Sequence, residues 1–281
     1  MFLSPLLLLA LATAPTTAAD EAPIQVFLLA GQSNMEGQAV VDLVHEKYYN
    51  GGRGTLIRLL EDPAKAVRMG HLRQPNGDWT VRDDVWVRYR TGNDVLKSGP
   101  LSIGYAVYDD LHHFGPELQL GHILGDAIDA PILLIKTCWG GKSLNYNFRP
   151  PSAGAYELSE KEKAGDKVEE IKKNVGLNYR MMNEAVHAVL GDLGKHHPEY
   201  NADAGFEMAG FVWFQGFNDQ FSPAFRDNYK DNMIAFVKDV RKEYKTPKMP
   251  FVIGVLGTNR TAEDVAKNAV SVAQRAAAAA P

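Results

Sequence analysis

Phe27-Leu28-Leu29-Ala30 is an unbroken apolar run that stops at Gly31-Gln32-Ser33-Asn34. A run without polar alternation suits a strand buried on both faces, an environment found almost only in parallel sheets covered by helices. Open sheets of that kind bind ligands in the crevice beyond the carboxyl ends of their strands. The run therefore delivers the Ser33 hydroxyl to the place where such folds do chemistry, and Ser33 is the first candidate nucleophile.

Three more apolar stretches have strand length and composition: Pro131 to Thr137, Gly210 to Gln215 and Pro250 to Leu256, beside Ile24 to Ala30 itself. Between them the apolar period is helical. Glu117 to Ile128 follows Gly115-Pro116 and sets Leu120, Ile123, Leu124 and Ala127 on one side. Val168, Ile171, Val175, Met182, Val186 and Val189 mark one long helix, and Phe225, Tyr229, Met233, Phe236, Val237, Val240 and Tyr244 another. Strands alternating with helices predict an α/β fold with a mainly parallel sheet. Val40 to about Pro100 and Asn145 to about Asp166 are too long for ordinary connections. The first, with Trp79, Trp86 and Arg88, is expected to form a wall of the site that touches substrate, and the charged part of the second a solvated face.

The 281 residues carry a net charge of −4, so no cationic surplus exists to neutralise phosphates, and nucleic acid is not an expected partner. Residues 1 to 19 read as a secretory signal, with an apolar core from Leu6 to Ala12 and small residues before Asp20. The core is too short to span a bilayer. A secreted or periplasmic protein with no membrane segment in its mature form is expected, its residues 20 to 281 making one domain. Cys138 is the only cysteine, which rules out an internal disulfide.

A serine attacks a carbonyl only if a base takes its proton and fixed N–H donors hold the oxyanion. Cys138-Trp139-Gly140-Gly141-Lys142-Ser143-Leu144 and Trp213-Phe214-Gln215-Gly216-Phe217-Asn218-Asp219 both follow predicted strands, so they can converge on the sheet edge that carries Ser33. Gln215 and Asn218 offer side-chain amides, and the Gly140-Gly141 turn offers backbone amides. A nucleotide loop is excluded because its first glycine would fall at Lys136, and the Gly-x-Ser-x-Gly elbow because Met35 takes the last glycine's place. No His-Glu-x-x-His pattern is present, and no metal or cofactor is expected. Trp139 and Trp213 flank strands and are at least as well explained as core.

Gly31-Gln32-Ser33-Asn34-Met35, Gly115-Pro116-Glu117, Gly140-Gly141-Lys142-Ser143-Leu144 and Trp213-Phe214-Gln215-Gly216, in that order, resemble the signature blocks of the sialate O-acetylesterase and acetylxylan esterase group of SGNH hydrolases. The resemblance implies a flavodoxin-like three-layer α/β/α sandwich and metal-free removal of acetyl groups from sugars, with an acetylated carbohydrate as partner. Ser33 would then be the nucleophile, and the Ser33 amide, Gly141, and Gln215 or Asn218 would hold the oxyanion. Two departures stand out. Phe217 replaces the glutamate of the group's Gln-Gly-Glu, although Gly216-Phe217-Asn218-Asp219 matches the Gly-x-Asn-Asp block of the wider superfamily and adds weight to Asn218. The group's Asp-x-x-His acid and base block is missing after His197, so the base is expected beyond Pro281. Asp110-Leu111-His112-His113 fits that spacing, but lies before the Gly115 block; Asp110 with His113 is the substitute pair. His187 reads as a helix residue and His196-His197 as a loop. The alternatives are a non-catalytic carbohydrate-binding relative and a lipase or thioesterase on the same fold.

Overall fold

The computed structural model describes residues 22–47, 49–257 and 261–280. The segment read as a signal, residues 1 to 19, lies outside the described residues. Eight strands run in chain order: β1 Ile24–Gly31, β2 Ala39–Val40, β3 Arg82–Arg90, β4 Leu96–Leu101, β5 His113–Phe114, β6 Ile132–Cys138, β7 Phe206–Phe214 and β8 Phe251–Ile253. The helices are α1 Ser33–Glu36, α2 Leu56–Leu60, α3 Pro63–Met69, α4 Glu117–Ala127, α5 Glu160–Lys163, α6 Val168–Asn174, α7 Leu177–Leu190, α8 Pro223–Glu243, α9 Ala262–Lys267 and α10 Ala269–Ala278.

Six strands form one sheet in the order β4-β3-β6-β1-β7-β8, parallel except for the β3–β4 hairpin. β1 lies between β6 and β7, in parallel register with both. Its side chains alternate as a doubly covered strand requires. Val26, Leu28 and Ala30 pack with residues of α7, α8 and α10, whereas Leu29 joins Val85, Val87 and Leu134 on the face that α4 covers. The result is a three-layer α/β/α sandwich with a mainly parallel sheet, with the carboxyl ends of β3, β6, β1 and β7 along one edge.

Several sequence expectations are corrected. The excursion from Val40 to Pro100 is only partly a wall: β3 and β4 extend the central sheet, with Val85, Val87 and Tyr89 fully buried. Asp84, Arg88 and Arg90 at alternate positions interrupt the apolar pattern of β3 in the sequence, because these side chains lie on its other face. Trp79 packs against a small cluster of Leu56, Leu72 and Leu118, and Trp86 packs against the main core, so each indole is partly buried. The single helix read across Val168 to Val189 is two, broken at Gly176 with φ 68°, where a Cβ would stand 2.8 Å from Arg149 O. α4 is rotated from its predicted face. Gly121 turns inward because any Cβ there would lie 2.4 Å from Leu101 Cδ2, and Ile123 is left 54% exposed.

Candidate active site

Ser33 opens α1 immediately after β1, and the chain makes the turn because Gly31 has no side chain. A Cβ on Gly31 would stand 2.1 Å from Phe214 O. The strand ends are tied together there: Gln32 N donates to Phe214 O at 3.2 Å, and Trp139 N donates to Gly31 O at 3.2 Å. The amides of Met35 and Glu36 close on Gln32 O. The Ser33 amide sits in the first turn, where a helix has no acceptor of its own. Ser33 itself is half-buried.

Gln32 connects this turn to the loop after β7. Its Oε1 accepts from Gly216 N at 3.3 Å and Asn218 N at 3.4 Å, while its Nε2 donates to Asn218 Oδ1 at 3.2 Å. Asn218 Nδ2 in turn donates to Gly141 O at 2.8 Å. An amide nitrogen has two hydrogens, so Asn218 keeps one beyond this bond. Gly140 packs against α1: a Cβ there would lie 2.9 Å from Glu36 Oε2 and 4.0 Å from Ser33 Cβ. Ser33, Gly140-Gly141 and Asn218, drawn from three separate segments, thus meet at one edge of the sheet.

Gln215 is placed differently. It is 2% exposed, and its Nε2 donates to Lys142 O at 2.9 Å and Asp219 Oδ2 at 2.5 Å, which engages both hydrogens. Its amide braces the loop rather than offering a donor to the site. The candidate base His113 lies on β5 in the small β2–β5 sheet. Its Nδ1 is 3.0 Å from Asp110 Oδ1, and its ring lies 4.1 Å from that of Tyr108. His187 pairs with Glu243 at 2.7 Å on the surface, His197 is buried beneath Trp86, and Trp213 is a core residue 0% exposed.

Three residues not singled out from the sequence organise the site. Asp219 is 0% exposed and accepts from Leu144 N at 2.9 Å and Asn145 N at 3.0 Å besides Gln215. Burial pushes its carboxyl up to about 6 even against those bonds. Glu36 is also raised by burial, opposed by the Gly140 amide and by the positive charges of Lys136 and Lys142. Beneath the site, the fully buried Lys136 Nζ is 2.7 Å from Glu117 Oε2 and also donates to Tyr105 O at 2.7 Å. The Gly-x-Asn-Asp block carried the signal for Asp219, and Met35-Glu36-Gly37 that for Glu36. Nothing local marks a lysine inside the apolar run of β6 as the partner of Glu117.

Compared with known families, residues 23–280 match the model described as carbohydrate esterase, sialic acid-specific acetylesterase. The chain belongs to this carbohydrate esterase family. Solved structures similar to the esterase include a protein from Arabidopsis thaliana, at 15% identity with a TM-score of 0.48, covering 89% of this chain and 80% of that one. A carbohydrate acetylesterase from Xanthomonas citri is 14% identical with a TM-score of 0.48 over 92% of this chain and 48% of that one. NanS is 15% identical with a TM-score of 0.43 over 92% of this chain and 73% of that one. No curated protein sequence matches the esterase. No helix among its described residues is long and apolar enough to cross a membrane.

Proposed function

We propose that the chain removes O-acetyl groups from carbohydrates, with Ser33 attacking the acetyl carbonyl to form an acyl-enzyme that water then releases as acetate. The observation that carries this reading is the meeting of Ser33 with the Gly140-Gly141 turn and Asn218 in a chain of the carbohydrate esterase family. In the attack, the serine oxygen bonds to the carbonyl carbon as a general base takes its proton and the carbonyl π-pair moves to oxygen; collapse of this tetrahedral adduct breaks the acyl bond to the sugar oxygen, which leaves as a hydroxyl carrying that proton. The negative oxygen is assigned to the Ser33 amide, the Gly141 amide and the remaining Asn218 Nδ2 hydrogen, since preorganised donors are the largest usual source of acceleration in acyl transfer. Gln215 holds the Asn218 loop in place.

Acetate release from acetylated xylan and from O-acetylated sialic acid, set beside release of fatty acid from long-chain esters, tests the reading. Wild type is expected to act on one of the acetylated sugars and not on long-chain esters, and Ser33→Ala to lose about a thousandfold or more in kcat. Turnover retained by S33A contradicts the assignment. Release from long-chain esters alone supports a lipase or thioesterase, and sugar binding without release supports a binding protein.

A further inference from the structure

Between α7 and the free face of β3 lies a cavity of about 430 Å³, within the range of small-molecule sites. Its floor is the sheet itself. Arg88 and Arg90 on β3 share that face with Ile135 and Thr137 on β6, because Arg88 stands opposite Ile135 and side chains alternate along each strand. Trp139 and the α7 residues Met181, Ala185 and Val189 give it apolar walls. Two of its polar groups are buried without a partner among the described residues: Arg88 Nε, and Thr137 Oγ1 on a residue that is 3% exposed. A buried donor left unmatched costs about 1–3 kcal/mol, so such groups mark places where a ligand or ordered water completes them.

The charges around the cavity leave Arg88 as its unmatched cation. Arg90 is paired with Asp94 at 2.8 Å, and Glu184 is exposed on α7 at the rim. Burial lowers the pKa of His196, which keeps it neutral near pH 7. A guanidinium edge with its Nε unmatched fits a carboxylate through two parallel hydrogen bonds, and an indole wall fits the C–H face of a pyranose ring. Trp139 also links this cavity to catalysis, since its amide is bonded to Gly31 O and the next residue packs against Ser33.

We infer that this cavity is a subsite for the carboxylate-bearing pyranose of a uronic acid, with Arg88 holding the carboxylate, Thr137 a neighbouring oxygen and Trp139 the ring. The inference rests on the proposed carbohydrate esterase reading and extends it to acidic glycans. Calorimetric titration of the S33A chain with methyl glucuronide, methyl glucoside and sodium acetate tests it apart from turnover. The glucuronide is expected to bind at least tenfold more tightly than the glucoside and than acetate, and to quench tryptophan fluorescence in a way that Trp139→Phe removes. Arg88→Gln and Thr137→Val should each weaken the glucuronide, the first by tenfold or more, with Arg88→Lys intermediate. Equal binding of glucuronide and glucoside, binding of acetate as tight as that of the glucuronide, or an undiminished preference in R88Q or in a folded R88K overturns the inference. A wild-type chain that binds the glucuronide but releases no acetate from any sugar refutes the esterase reading and leaves the subsite standing.

Discussion

The carboxylate of Asp219 receives the amides of Leu144 and Asn145 from the loop after β6 and Gln215 Nε2 from the loop after β7, so one side chain sets the spacing of both. Asp219→Asn would turn an amide group toward donors that need an acceptor. Its expected cost is about 2–4 kcal/mol of stability, the penalty for leaving one or two buried donors unmatched. Faster hydrogen exchange at Leu144 and Asn145 and a lowered kcat should accompany it. Unchanged protection at those two amides would show that the loops are held by something else. Glu36 is a second residue of this kind, because its carboxyl faces the Gly140 amide in the turn proposed to hold the oxyanion. Glu36→Ala is expected to lower kcat by about tenfold, roughly one strong hydrogen bond's share, with little change in KM. A change confined to KM would remove Glu36 from the turn.

At the scale of elements, the tightest constraint is the packing of β1 against the end of β7. Gly31→Ala would drive a methyl group into Phe214 O, where flexible side chains cannot yield, and should cost about 3 kcal/mol or more together with esterase activity. Urea unfolding of the variant measures it, and wild-type stability in G31A would refute the close approach. The elements legible in the sequence are those whose apolar pattern is set by burial on both sides: β1, β6 and α8 appear close to where the pattern puts them. Those that were not legible have a physical reason in each instance. β3 alternates Val85, Val87 and Tyr89 with Trp86, Arg88 and Arg90, the two arginines bounding a cavity on its other face, and the helix across Val168 to Val189 breaks where Gly176 must approach Arg149 O. At the site, the ordered blocks gave the positions of Ser33, Gly141 and Asn218. The bracing role of Gln215 depends on Asp219 and Lys142, partners that only the folded chain reveals.

Over the whole molecule, two buried histidines link stability to acid. Burial pushes His122 and His197 down to about 4, below the ordinary value of 6.5 for a histidine. A base depressed on folding contributes stability that is full above the unfolded value and is lost as pH falls through 6.5 toward 4, because the unfolded chain takes up the proton first. Each should cost about 2 kcal/mol by pH 5, whereas Asp219, raised to about 6, acts the other way by about 1 kcal/mol as it is protonated. The net expectation is a fall of a few kcal/mol in urea stability between pH 8 and pH 5, smaller in His197→Gln. A flat profile would show that these rings are hydrated in the folded state.

The account as a whole rests on a reactive hydroxyl at the end of β1. Treatment of the intact chain with a fluorophosphonate, followed by mass spectrometry of its peptides, measures this most directly. The predicted result is one adduct, on Ser33 within the Gly31–Glu36 turn, absent from S33A. An unmodified Ser33 under conditions that label a working serine esterase, or an adduct on another serine instead, would contradict the account.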